Sequence, residues 1–174
     1  MTTGEFEGST HAEGFPVAWR RVITEPRAFF ADMREVGGLS APFAFLAICA
    51  ALNGAGHVIV GWGVHGLVWV IVWQIVGAIL SAAIFVLIAQ HLFHGRAGFE
   101  PTFRVVAYAA APTVFAWLPG LGAIAVIWTA YLTVLGLERV QAFDTTRSVL
   151  TVILGWAAVF LLLTGRRHHP RIWP

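Results

Sequence analysis

The stretch Leu39–Phe93 reads LSAPFAFLAICAALNGAGHVIVGWGVHGLVWVIVWQIVGAILSAAIFVLIAQHLF. A helix that crosses a bilayer needs roughly 20 apolar residues, and this stretch holds two such runs back to back. The first extends from about Leu39 to Val60, with His57 as its one ionisable side chain. Gly61-Trp62-Gly63 then supplies a minimal turn, and a second run continues from about 64 to 93, long enough to tilt or to project beyond the lipid.

Working outward, residues 94–101 form a polar break. A shorter apolar segment, 102–118, carries Pro112 in its interior, so it either crosses with a kink or dips in and returns. Pro119-Gly120 turns into a fourth run, 119–137, and after a polar stretch a fifth covers 148–165. The basic tail, 166–174, contains Arg166, Arg167 and Arg171. Upstream, 16–38 is amphipathic: Trp19, Phe29 and Phe30 recur on one side, Arg20 and Arg21 on the other. That pattern predicts a helix in the membrane plane on the cytoplasmic side, with Trp19, Arg20, Arg21, Phe29 and Phe30 at the interface. Packing against the cytoplasmic face of the bundle is the alternative. Residues 1–15 carry Glu5, Glu7 and Glu13 and no basic residue, which suits a disordered tail rather than a secretory signal. The expected fold is therefore an all-α integral membrane protein, a bundle of about five transmembrane helices preceded by an amphipathic helix.

Composition agrees. Hydrophobic residues are 58% of the chain and charged residues 11%, against roughly 25% charged in an ordinary soluble domain. A chain of 174 residues cannot hide that much apolar surface, so the surplus faces lipid. Cys49, the single cysteine, lies in an apolar run and reads as a small buried hydrophobe. The pI of 9.3 comes from arginines between spans, so it reflects orientation in the membrane rather than nucleic-acid binding. Lysine is absent. Arg20, Arg21, Arg27, Arg34, Arg96, Arg104, Arg139 and Arg147 fall on one side if the chain crosses five times, and the positive-inside rule makes that side cytoplasmic. The three arginines of the tail then lie on the other side, against the rule. A re-entrant third segment would bring them back but would move Arg139 and Arg147 out. Five full crossings, in a bacterial inner membrane with the amino terminus inside, is the preferred arrangement.

Polar groups inside the spans are few and expensive. Asn53 and His57 share a face of the first run, as do Gln74 and Ser81 on the second. Tyr108 lies on the third segment, and Thr129 and Thr133 on the fourth. These side chains either line a polar path or fix helix packing by hydrogen bonds. Packing is the better reading, because no buried carboxylate or arginine stands among them. His91 and His94 form a weak metal pair without further ligands. Phosphate-binding, nucleophile-elbow and zinc-protease motifs are all missing, so neither a catalytic residue nor a cofactor is expected.

The order of features resembles the Ypt-interacting protein (Yip) domain family. Ile23-Thr24-Glu25-Pro26-Arg27-Ala28-Phe29-Phe30 is similar to the entry motif of its bacterial branch. The run from Leu92 to Ala109 resembles its link between second and third helices, and Leu118-Pro119-Gly120-Leu121-Gly122 with Ile127-Trp128 resembles the opening of its fourth. Leu135-Gly136-Leu137 resembles the close of that helix. The resemblance implies five membrane helices, a cytoplasmic amino terminus and self-association. Eukaryotic members bind Rab-type GTPases, but their acidic Asp-Leu-Tyr-Gly-Pro motif is absent here, so that activity is not carried across.

Three functions remain open. The first is a non-enzymatic, oligomeric scaffold that organises lipid or a membrane or cytoplasmic protein partner. The second is a channel or passive facilitator lined by Asn53, His57, Gln74 and Ser81. The third is a membrane enzyme or metal protein using His91 and His94.

Overall fold

A computed structural model describes residues 11–164. Residues 1–10 of the expected amino-terminal tail, and the whole basic tail 166–174, lie outside the described residues. Seven α-helices follow one another: α1 (His11–Thr24), α2 (Pro26–Asp32), α3 (Ser40–His57), α4 (Gly63–Phe93), α5 (Phe99–Ala109), α6 (Leu121–Gln141) and α7 (Thr145–Thr164). Among the described residues there is no strand. Helix α1 starts at His11 and so takes in residues counted above as tail.

Among the described residues, three stretches are long and apolar enough to cross a membrane: Ser40–Phe93, Leu121–Gln141 and Thr145–Leu162, with mean hydropathy 2.5, 1.7 and 1.7. The first is not one rod. A π-type turn at Val58–Trp62 separates α3 from α4, and Gly61 takes φ 95°, a left-handed value that a residue with Cβ adopts only at a cost. The two limbs fold back on each other. Asn53 meets Gln74, Leu46 packs in one cluster with Ala78 and Ala82, and Phe43 shares a cleft with Ile79. The partner residue number rises as the other falls, which is the register of an antiparallel pair.

The third segment follows α3 from end to end. Glu100 bonds the backbone just ahead of α3, the Tyr108 ring packs on Phe45, and the Trp117 ring covers Gly56, the penultimate residue of α3. Helix α3 is about 27 Å long at 1.5 Å per residue, and the segment runs alongside it. Pro112 breaks the α-helix on the way. Beyond Ala109 the chain tightens into a 3-10 turn at Ala111–Phe115, since proline can neither donate nor tolerate the preceding carbonyl.

Helices α6 and α7 complete the alternation. Gly136 packs on Val105 and Gln141 reaches Thr102, so α6 runs antiparallel to α5. Phe85 lies against Gly155, which sets α7 antiparallel to α4. One end of the bundle, called here the near end, therefore holds the starts of α3, α5 and α7 and the ends of α4 and α6. The far end holds the turns at 58–62 and 116–120.

Helices α1 and α2 depart from the arrangement expected for an interfacial helix. Their aromatic side faces protein. Phe29 and Phe30 are 1% exposed, Val22 is fully buried, and Phe15 packs on Phe45. Ile23 reaches a cleft with Leu121 and Ile124, at the far end of α6, while Phe30 touches Gly136 and Glu35 pairs with Arg139 near its other end. The pair is thus a helical hairpin laid lengthwise along the bundle. The reason is aromatic demand: the rings find close-packed partners in Tyr108, Phe45 and Phe115, whereas lipid would leave the Trp19 indole N–H unpaired.

Elsewhere the polarity is that of a membrane protein. Ile59, Val64 and Ile127 are each about 70% exposed, whereas Arg104, Gln141 and Thr102 are at most 1% exposed.

Candidate functional site

Two polar assemblies stand out. The first is a clasp at the near end. The Arg104 side chain, on α5, is buried. Its guanidinium donates to the Gly38 carbonyl at 2.9 Å and to the Arg34 carbonyl at 3.3 Å. Glu100, one helical turn earlier, lies 3.8 Å from Arg104 Nε and accepts the backbone N–H groups of Gly37 and Gly38 at 2.8 and 2.7 Å. Both glycines have positive φ, 150° and 87°, which lets their N–H groups point at one carboxylate oxygen. A side chain on Gly37 would also run into the Arg104 guanidinium. The N–H groups of Gly38 and Gly37, with a smaller contribution from Arg104, hold the Glu100 carboxyl below its ordinary range. The clasp therefore binds the strand that leaves α2 to the start of α5.

Beside it, Gln141 at the end of α6 is buried. It accepts from Ala97 N–H at 3.0 Å and donates to Thr102 Oγ1 and the Ala97 carbonyl at 3.2 and 3.4 Å. The loop between α4 and α5 is thereby tied to α6, and Arg139 and Glu35 add an exposed pair at 3.4 Å.

The second assembly lies inside the bundle, nearer the far end. Asn53 Nδ2 donates to Gln74 Oε1 at 3.0 Å, Gln74 Nε2 donates to Thr113 Oγ1 at 2.7 Å, and the Thr113 hydroxyl donates to the Ala110 carbonyl at 2.6 Å. This chain joins α3, α4 and the proline-broken turn. Trp19 closes the same break from the other side, donating its indole N–H to the Ala111 carbonyl at 2.9 Å. The Ala110 carbonyl at the break is thus satisfied by Thr113, three residues on, and the Ala111 carbonyl by Trp19, 92 residues away.

Of the polar residues singled out in the sequence, Asn53 and Gln74 are brought together across two helices. His57 donates Nδ1–H to the Asn53 carbonyl of its own helix and its ring meets Trp62. Ser81 is buried two turns further along α4. Tyr108 sits between the rings of Phe29 and Phe45. Thr133 bonds the Thr129 carbonyl within α6. Cys49 is buried. Of the residues expected at the membrane interface, Phe29 and Phe30 are buried against protein, Trp19 is partly buried, Arg20 is exposed and Arg21 pairs with Asp32 at 2.8 Å. His91 is exposed and bonds the Leu87 carbonyl, and His94 caps α4 in a left-handed conformation. Among the described residues no three metal-ligating side chains converge.

Arg104, Glu100, Gln141 and Thr113 were missed. In the sequence Glu100 falls in the polar break and Arg104 at the start of the third run, where both read as charges of the cytoplasmic side. Their spacing of four, on a segment that begins a helix, was the available signal.

The comparison with protein families matches a Yip1 domain over residues 20–165. The chain belongs to the Yip1 family. No curated protein and no solved structure matches it. The Yip1 match begins inside α1 and ends where α7 ends, so it takes in both polar assemblies and most of the α1–α2 hairpin. The assemblies are accordingly parts of the Yip1 domain itself. A membrane protein of this family with apolar helices fits a non-enzymatic role.

Proposed function

We propose that this Yip1-family protein is a membrane scaffold: five crossings, self-associating, presenting its near end in the cytoplasm to lipid headgroups or a protein partner. The observation that carries the reading is where the internal polar groups go. Asn53, Gln74, Thr113, Gln141 and Arg104 are spent on bonds between segments that lie far apart in sequence. Such bonds fix a shape and leave little chemistry for turnover or conduction.

Depth supports five crossings: the segment 102–118 keeps pace with α3 from the near end to Trp117 at Gly56, so that α3, α4, this segment, α6 and α7 would traverse in turn. Orientation follows from charge. Arg34, Arg96, Arg104, Arg139 and Arg147 gather at the near end, neither 58–62 nor 116–120 holds an arginine, and Arg20 and Arg21, toward the α1–α2 turn, stand apart from that cluster. The positive-inside rule then makes the near end cytoplasmic. A bacterial inner membrane is the setting this all-arginine, short-looped chain suits.

The test pairs two measurements on the full chain. Native mass spectrometry from membranes is expected to give assemblies larger than one chain. Liposomes containing the folded protein are expected to pass solutes and ions no faster than empty ones. A selective flux, together with a strictly monomeric state, would replace the scaffold by a facilitator.

A further inference from the structure

Between α2 and α6, at the near end, a cleft of about 300 Å³ opens to the outside of the bundle. Arg27 and Ala31 form one wall, with Phe30 at its base. Leu135, Glu138 and Arg139 form the other. Arg27, Ala31 and Arg139 are exposed, and Phe30 is buried behind them. Arg139 stands two residues before the end of α6, and Leu135 lies one turn deeper. The cleft thus runs from the level of the bundle's rim into its apolar depth, which is where a phospholipid carries its phosphate and the root of its acyl chains.

Its charge points the same way. Among the described residues Arg139 pairs with Glu35 at 3.4 Å, both side chains about half exposed. Arg27 lines the opposite wall, so the cleft's own lining holds two cations against Glu138, with Glu35 reaching Arg139 from outside it. Guanidinium groups bind phosphate oxygens in pairs of parallel hydrogen bonds. A basic pocket between membrane helices on the cytoplasmic side is a setting in which anionic headgroups bind. We infer that this cleft is a binding site for one anionic phospholipid, with Arg27 and Arg139 holding its phosphodiester and Leu135, Ala31 and Phe30 receiving the glycerol end of its chains.

This deepens the scaffold reading and rests on its orientation, but its experiment is separate. Purified full chain in neutral detergent is titrated with phosphatidylglycerol, with phosphatidylcholine and with inorganic phosphate, and binding is read by native mass spectrometry. Phosphatidylglycerol should bind about tenfold more tightly than phosphatidylcholine, and inorganic phosphate should not compete at equal concentration. The double variant R27Q/R139Q should lose that preference, while Arg96→Gln, a cation at the same end outside the cleft, should keep it. Glu35→Gln frees Arg139 and should strengthen binding, whereas a merely structural role for the pair would weaken it. Equal affinity for both lipids, or equal loss in Arg96→Gln, would overturn the site. So would weaker binding in Glu35→Gln. Each of those results would leave the assembly and flux measurements standing.

Discussion

The two hairpins of this protein invert the usual relation between hydropathy and burial. The α3–α4 hairpin contains no Asp, Glu, Lys or Arg, yet Ile59, Val64 and Val68 on it are mostly exposed. The α1–α2 hairpin carries Arg20, Arg21, Glu25, Arg27 and Asp32, yet its Phe29 and Phe30 are sealed inside the protein. In lipid the apolar hairpin has nothing to gain from hiding its aliphatic surface. The charged hairpin must place its aromatic rings and its indole N–H against protein, where close packing and a carbonyl acceptor reward them. The apolar hairpin seals its own rings too, at Phe45 and Phe85, so the two differ in what their outer faces carry, aliphatic side chains on one and charges on the other.

One substitution made in both hairpins tests this most directly. Phe30→Ala should destabilise by about 3–4 kcal/mol, because it empties a buried site wedged between α2 and α6. Phe43→Ala, at a residue 43% exposed on α3, should cost about 1 kcal/mol or less. Thermal unfolding in detergent reads both. Equal losses would mean that the α1–α2 hairpin is loosely held and that the comparison fails.

Next comes the anchor of the charged hairpin. Arg104→Ala removes the donors to the Arg34 and Gly38 carbonyls and leaves Glu100 with its backbone partners alone. A loss of about 2–3 kcal/mol is expected, with faster proteolysis between Met33 and Leu39. Unchanged cleavage there would show that Trp19 and the phenylalanines hold the hairpin without the clasp.

A smaller effect belongs to the apolar hairpin. Gln74→Leu breaks the bonds to Asn53 and Thr113 and should cost about 0.6–2 kcal/mol, in the range of hydrogen bonds between membrane helices. Permeability of liposomes containing the variant should match wild type. A changed flux would give the Asn53–Gln74 pair a conducting role.

These differences also mark what the sequence could reveal. Hydropathy located α3, α4, α6 and α7, because a run of apolar residues broken by Gly61 or Pro119-Gly120 has few other solutions in lipid. The Yip resemblance came from the same breaks and from the Leu92–Ala109 link, and the family match bears it out. The placement of α1 and α2 was not legible. Amphipathic periodicity says that Trp19, Phe29 and Phe30 share an apolar environment, and lipid and a protein core satisfy it equally. What decides is the acceptor at Ala111, 92 residues away, and that carbonyl is available only because Pro112 broke its helix. Likewise, Asn53 and Gln74 were recognised as costly, but their being each other's partner depends on the hairpin register. Thr113, which completes the chain, looked like any threonine.

The least of the expected effects concerns acid. Glu100 is held below its ordinary range chiefly by the N–H groups of Gly38 and Gly37. A carboxyl whose folded value is depressed adds stability that is fully present above its unfolded value and fades as pH falls through the folded one. At neutral pH the clasp is therefore complete. Acidification from the ordinary carboxylate range downward should loosen the strand from Met33 to Leu39 before the membrane helices respond, because α3, α4 and α6 carry only Glu138 among them as a carboxylate. Hydrogen exchange on the full chain measures this: Gly37 and Gly38 amides should lose protection on acidification, while amides of α3 keep theirs. In Glu100→Gln the same two amides should be weakly protected at every pH. If they stayed protected in the variant, the glycine N–H groups would owe their order to Arg104 and the buried phenylalanines, and the clasp would be held from the α2 side alone.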